Sequence, residues 1–557
     1  MIHNPVLRGF NPDPSILRVG ADYYIATSTF EWYPGIQLHH STDLVNWRLL
    51  PRPLRRPSQL DLRGVPDSCG VWAPCLSHDG RRFYLTYSLV RRYGRTTRYG
   101  AEGSSLRDFS NFVISCDSIE GEWSDPVFLN SSGFDPSLFH DRDGKTYLLN
   151  LLWDHRSGHD RFGGILMQEY RPDLARLVGE PQMIFRGTEL GFTEGPHLYR
   201  RGDWCYLIVA EGGTGWNHAV TLARAKDIHG PYAPCPHGPI LTSRGCSGLA
   251  LQRAGHGDLV QTQDGQWLIA YLCARPEPET RRSVLGRETA IQPVEWTPDG
   301  WIRPAPPLET ADNPVAPEAR GPKPSARRYA FSDAALPSDF QWLRSPQPET
   351  LFSLTQRPGH LTLIGRETIG SQFEQSLVAR RLTALTFEAV TRLDYDPSHF
   401  QQSAGLVCYY NASKFHYLYL SQDDEAGRHL RVMSALPDPC RPEAHSRTYP
   451  VGAGPVELRA VCDGRRLRFG FRLAGAADWT DLDEVFDATL LSDEMTLPGD
   501  PGFTGAFVGM ACQDMSGQAR PAHFAWFDYR DFAAGAPAAL SDPAPGAARK
   551  QGRARTG

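Results

Sequence analysis

A short phrase pairing an acid with a proline recurs along this chain, and the recurrence limits what the chain can fold into more than any other feature. Gly9 to Ile16 reads GFNPDPSI, Gly133 to Leu138 reads GFDPSL, and Glu194 to Leu198 reads EGPHL. Aligned on the proline or its equivalent, the starts fall at Pro14, Pro74, Pro136, Pro196 and Gly255-His256-Gly257, so five units fit a period of about sixty residues. A unit of that kind covers its apolar faces by stacking on its neighbours. Asp13, Asp135 and Glu194 directly precede a proline or stand one glycine from it, so the repeat carries three acids toward one place.

A turn and an aromatic-rich run follow each opening: Ala21-Asp22 before Tyr23-Tyr24, Asp79-Gly80 before Phe83-Tyr84, Asp143-Gly144 before Tyr147, Gly202-Asp203 before Tyr206, and Asp264-Gly265 before Trp267. Each pair of runs reads as a β-hairpin. A second signature comes later in the units: Asp43-Leu44 with Trp47, Asp117 with Gly121 and Trp123, and Asp227 with Gly230 and Tyr232. These suit outer hairpins with an aromatic ring between neighbouring sheets. Helical periodicity is nearly absent, so residues 1–305 are expected to form a five-bladed β-propeller whose innermost strands bring equivalent residues to an axial pocket.

Residues 306–327 are rich in Pro and Ala without a strand period and read as a linker. The chain is too long for one ordinary core, and residues 328–533 show a second set of strands: Phe387–Leu393, Ala404–Tyr410, Phe415–Leu420, Val456–Val461, Leu467–Phe471 and Phe524–Tyr529. With Asp463-Gly464 as a hairpin turn, they predict a β-sandwich, and an all-β protein overall. Residues 534–557 lack bulky apolar side chains and are expected to be disordered.

A formal net charge of −5 argues against nucleic acid or an anionic membrane as a partner. The 11 cysteines are scattered and contain no CxxC pair, which argues against a metal cluster or a disulfide framework. The sequence MIHNPVLRGF has no basic and apolar leader pattern, and no run of about eighteen apolar residues follows, so a cytoplasmic protein without membrane association is the expectation.

Cleaving a glycosidic bond requires one group to protonate the leaving oxygen and a carboxylate to activate water or attack the sugar. Asp13, Asp135 and Glu194 supply such a pair and a third acid, whose charge can raise the pKa of the carboxyl that must stay protonated. Each motif alone is a common turn sequence, and it is their joint recurrence that points to a site.

NPDPSI, VWAPCLS, GFDPSLFHD, TEGPHLY, AGHGDLVQT and LGRETAIQPVEW, met in that order, resemble the β-xylosidases of glycoside hydrolase family 43 over about residues 3–533. The resemblance implies a five-bladed propeller followed by a concanavalin-like sandwich, and single-displacement hydrolysis with inversion. It also implies the roles: Asp13 as general base, Glu194 as general acid, and Asp135 as the group that tunes the acid's pKa and orientation. Arg287 matches an arginine that contacts the nonreducing sugar and the carboxylates. Phe30 and Trp72 match aromatic walls of the pocket, Phe503 in PGDPGFTG a phenylalanine the sandwich inserts at the rim, and Thr214 in GGTGWNH a residue near that rim. His256 matches a channel histidine that supports the site or helps to hold a hydrated calcium ion. Calcium prefers several oxygen ligands, so the ion is allowed here and no cofactor is required.

The implied substrate is a 1,4-β-xylooligosaccharide, shortened from its nonreducing end. α-L-Arabinofuranosidase activity is the near alternative, and a noncatalytic sugar-binding propeller the remote one. Similar enzymes are often dimers or tetramers, so a homo-oligomer is expected. The run Arg91-Arg92-Tyr93-Gly94-Arg95 and the insertion-like Thr96–Ser105 follow the second inner hairpin, where a loop near the pocket would meet the leaving group.

Overall fold

The computed structural model describes residues 2–94, 106–305, 324–436, 443–496 and 501–532. Among them the regular structure is almost entirely strand, with single 3₁₀ turns at Pro348–Thr350 and Ala488–Leu490. Five antiparallel sheets follow one another between Ser15 and Pro304. Their innermost strands, Ser15–Val19, Gly70–His78, Ser137–His140, Glu194–Arg201 and Gln252–Gln261, neighbour one another in a closed ring.

Each blade is covered by a neighbour on either face, so central strands such as Phe83–Arg92 and Trp267–Ala274 are mostly apolar and buried nearly end to end. The core therefore lies largely between blades. Ile16 and Tyr23 of the first blade pack with Val260 and Leu268 of the fifth, and Tyr84 and Val113 of the second with Leu138 and Leu148 of the third. The outer aromatics behave as their motif suggests: Trp123 and Tyr232 are buried in cores shared by adjacent blades, and Trp47 packs where the first blade meets the fifth. The N-terminal segment fastens the ring, with Leu7 bridging Thr289 and Asn11 N donating to Arg287 O at 2.9 Å.

The repeat has a conformational signature. Asp13, Ala73, Asp135 and His256 have φ of 55°, 41°, 56° and 47°, and Gly195 stands at 57°. All five occupy the position just before the aligning proline or its equivalent. Positive φ is uncommon for residues other than glycine, yet every blade has it here. In the second, fourth and fifth blades the register to the next strand slips across this residue, a bulge that turns side chains toward the axis. This corrects one expectation from the sequence: Glu194 is not equivalent to Asp13 and Asp135. Gly195 takes that position, and Glu194 aligns with Pro12, Trp72, Phe134 and Gly255.

Beyond the propeller, an eight-stranded and a nine-stranded antiparallel sheet form the sandwich. The six strands expected there are present, each somewhat longer than its apolar run. The strand Ala326–Tyr329 pairs with the C-terminal strand Pro521–Asp531, so the sandwich begins inside the stretch that reads as linker; residues 306–323 and 533–557 lie outside the described residues. The domains share a sheet. Trp32–Tyr33 leaves the first blade and pairs with Phe340–Leu343, and the Trp32 ring stacks on Phe507 at 3.7 Å. Below this joint Arg344, fully buried, reaches back to Asp67 at 2.7 Å.

Candidate active site

One pocket of about 200 Å³ opens at the axis of the propeller, and all nine residues singled out in the sequence line it: Asp13, Phe30, Trp72, Asp135, Glu194, Thr214, His256, Arg287 and Phe503. The bulged strand starts account for most of them. Asp13, Asp135 and His256 come from the positive-φ position, while Trp72, Phe134 and Glu194 come from the residue before it. Fixing the backbone at these two positions in each blade aims acids, aromatics and an imidazole at one point.

Asp13 is 5 % exposed and accepts hydrogen bonds from Ser28 Oγ at 2.7 Å and Arg287 Nη1 at 2.8 Å. Ser28 Oγ also accepts from Ala73 N at 2.7 Å, so the Asp13 carboxylate is tied to the next blade. Arg287 Nη2 donates to Phe503 O at 3.0 Å, and its guanidinium lies 5.5 Å from the Phe30 ring and 5.7 Å from that of Phe503. One arginine thus fastens the carboxylate of one domain to the main chain of the other.

Asp135 accepts from Gly195 N at 3.0 Å, which places its carboxyl beside Glu194. Burial, then the charges of Asp135 and Asp13, push the Glu194 carboxyl well above the usual range, against the pull of Arg287. Asp135 is pushed the same way by burial and by Asp13, with the Gly195 amide and Arg287 opposing. The pocket therefore holds a proton on this pair at a pH where an exposed carboxyl would have lost it. His256 is pushed down to about 4, chiefly by burial, and is neutral near pH 7.

The walls are aromatic. Trp72 packs against Phe30 at 5.3 Å, Phe503 at 5.5 Å, Tyr93 at 5.0 Å and Phe134 at 5.8 Å. Phe162 and Phe192, ring to ring at 5.1 Å, continue the lining outward, and Phe192 is 53 % exposed. Trp72 Nε1 and Arg287 Nε are buried donors without an acceptor, of the kind a sugar hydroxyl would satisfy. Sequence reasoning missed Tyr93, Phe134, Phe162, Phe192 and Gly213. Phe134 had a signal, since it stands directly before Asp135 as Trp72 stands before Ala73. Tyr93 sits in the Arg-rich run; Arg95 to Ser105 lie outside the described residues.

The donor set does not fit a calcium ion caged by protein. His256 Nδ1 lies 3.9 Å from Asp13 Oδ1, its ring packs against Gly195, and among the described residues no three His, Cys, Asp or Glu side chains are grouped so that they could hold a metal ion. Calcium takes about six to eight oxygen ligands.

An axial pocket with a carboxyl held protonated, a second carboxylate clamped by arginine, and aromatic walls is the equipment of an acid–base glycosidase. Residues 2–302 match the sequence profile of glycosyl hydrolases family 43, and residues 328–530 that of the beta xylosidase C-terminal concanavalin A-like domain. The chain is 49 % identical to Xylosidase/arabinosidase 43B of Humicola insolens, covering 95 % of this chain and 97 % of that protein. It is 45 % identical to a Beta-xylosidase of Bacillus subtilis (strain 168), covering 95 % and 99 %. The crystal structure of xylan beta-1,4-xylosidase from Bacillus halodurans C-125 superposes with a TM-score of 0.87 at 44 % identity, over 95 % of this chain and all of that one. The chain belongs to glycoside hydrolase family 43.

Proposed function

We propose that this enzyme removes single xylose units from the nonreducing ends of 1,4-β-xylooligosaccharides with inversion. The observation that carries the reading is the contrast between two acids in one pocket: Glu194 is held protonated by burial and like charge, whereas Asp13 is clamped by Arg287 and Ser28. Glu194 gives its proton to the glycosidic oxygen as the bond to the anomeric carbon breaks. Water attacks that carbon from the opposite face and passes a proton to the Asp13 carboxylate. Asp135 holds the Gly195 amide, and with it the orientation and protonation of Glu194. The rings of Phe30, Trp72 and Phe503 surround a terminal sugar and leave little room for a chain to run through. The names of the relatives from Bacillus subtilis and Bacillus halodurans support xylosidase chemistry.

A second activity on α-L-arabinofuranosides is supported by the Humicola insolens relative, whose name carries both activities. Proton NMR of the enzyme acting on xylobiose tests the main reading. Initial α-xylose is expected; initial β-xylose would mean retention and overturn the role given to Asp13. Release of arabinose alone, from an aryl arabinofuranoside, would reverse the order of the two activities. Asp13→Asn separates an enzyme from a sugar-binding propeller: hydrolysis collapses while xylose binding persists.

A further inference from the structure

Both rims of the pocket converge on a buried polar cluster at the seam between the domains, and none of its members lines the pocket itself. Arg253 lies on the same inner strand as His256 and is 6 % exposed. Its guanidinium faces Asp493 of the sandwich domain at 3.5 Å and is hydrogen-bonded to Glu494. Glu494 is fixed in turn by Ser283 N at 2.8 Å and Ser283 Oγ at 3.1 Å.

From Asp493 the contacts run to one rim. Tyr410 donates its hydroxyl proton to Asp493 Oδ1 at 2.7 Å, and its phenolic oxygen accepts from Thr504 N at 3.2 Å. On the other side of Phe503, Gly502 packs so tightly on Asp493 that an added Cβ would stand 2.1 Å from its carbonyl oxygen. The two neighbours of Phe503 are therefore both docked on the Asp493 region. From Arg253 the contacts run to the other rim. The Trp216 ring, in the loop that carries Thr214, lies 4.9 Å from the guanidinium of Arg253 and 4.1 Å from that of Arg281.

We propose that Arg253, Asp493 and Tyr410 are positioning residues, a cross-domain brace that sets the distance between Phe503 and the Thr214 loop and thereby the fit of the terminal sugar. A buried charge cluster is a poor way to gain stability, because apolar side chains of similar volume serve as well. What it supplies is direction: a phenolic oxygen that must face both a carboxylate and an amide allows one placement of Phe503. The brace is expected to act on sugar affinity, leaving the chemical step to the pocket acids.

The inference rests on the assignment of this pocket to the nonreducing terminal sugar, so wild-type release of xylose from xylobiose is established first; its absence would sink that assignment independently of the brace. The test is then a double-mutant cycle of Tyr410→Phe and Phe503→Ala, read as KM for xylobiose and as the competitive inhibition constant of xylose. Tyr410→Phe keeps the ring and its contact with Lys414 Nζ at 3.5 Å, and removes only the linking oxygen. Its expected result is a rise of about tenfold in both constants, the scale of one hydrogen bond to a charged group, with kcat within about twofold of wild type. The double variant should be no worse than Phe503→Ala alone, and Arg253→Lys should lose less than Arg253→Met. Unchanged constants in Tyr410→Phe, or losses that multiply in the double variant, would overturn the brace. Should Phe503→Ala not fold, Phe503→Leu takes its place in the cycle.

Discussion

Gly195 offers a test of why the fourth blade departs from the repeat. Its φ of 57° matches that of the four side-chain-bearing residues at the same position, so the backbone there does not demand glycine. Space does: a Cβ on Gly195 would meet three atoms of the His256 ring at 3.1–3.2 Å. A side chain is tolerated at this φ but not without cost, and Gly195→Ala should lose about 1–2 kcal/mol to the left-handed conformation alone. At about 2–4 °C per kcal/mol for a domain of this order of size, the fall in Tm is roughly 2–8 °C. The catalytic cost has another source. The new methyl pushes the imidazole and the Gly195 amide apart, and that amide is the 3.0 Å donor to Asp135. Weakening a hydrogen bond to a charged acceptor by about half its worth, near 1.4 kcal/mol, lowers kcat/KM about tenfold.

Differential scanning calorimetry and kcat/KM on 4-nitrophenyl β-xylopyranoside read the two effects separately. Gly195→Asn sharpens the comparison, since asparagine accepts the left-handed region more readily than alanine. Its Tm should fall less than that of Gly195→Ala while its kinetic loss is at least as large. Wild-type kinetics in Gly195→Ala would refute the claim that the His256 contact explains the glycine. A Tm loss above about 15 °C would refute the claim that the repeat tolerates a side chain there.

Two predictions concern pH. On the proposed mechanism Glu194 acts in its protonated form, so activity is expected to fall as pH rises through its pKa, and the Asp135 charge is second only to burial in holding that pKa up. Asp135→Asn should move the alkaline limb of the kcat/KM profile to lower pH; an unmoved limb would remove the tuning role. Glu31, fully buried beside the domain joint, is pushed from 4.5 up to about 8, mostly by burial, with Asp67 adding and Arg344 opposing. The folded state then holds a proton that the unfolded state releases, so the stability it contributes is complete below pH 4.5 and is lost as pH rises through about 8. The Tm of the wild type should fall more steeply between these values than that of Glu31→Gln, and parallel curves in a thermal-shift series would reject the assignment.

The parts of this architecture that were legible in the sequence are those that repeat or alternate. The proline-centred phrase marked the inner strands because each blade must turn at the same place, and the outer aromatics marked the interblade cores. Repetition also misled: Glu194 looks equivalent to Asp13 and Asp135 because a proline follows nearby, and only backbone geometry shows it one residue out of step. Tyr93, Phe162 and Phe192 reach the pocket from an arginine-rich run, a third strand and a loop, where no pattern distinguishes a pocket ring from a core ring. The strand Trp32–Tyr33 is too short to have a period, although it joins the two domains into one sheet. Arg253 and Asp493 meet only through the docking of the domains, which no local signal encodes.

That docking is what turns an axial channel mouth into a pocket. The sandwich loop approaches the fifth blade main chain to main chain: a Cβ on Gly286 would stand 2.2 Å from Thr504 O, and one on Gly505 2.7 Å from Leu285 O. Ala506 N donates to Val284 O at 2.8 Å across the same contact. With no side chain on Gly286 or Gly505 to hold the two main chains apart, Phe503 can reach Trp72 and Arg287 can hold its carbonyl. The propeller supplies all three acids and the arginine, but it supplies no wall on this side. A site open there would admit the middle of a xylan chain, whereas a site closed by Phe503 admits a chain end. On this reasoning the sandwich determines where along the polymer the shared acid–base chemistry is applied, through one phenylalanine whose placement depends on two glycines.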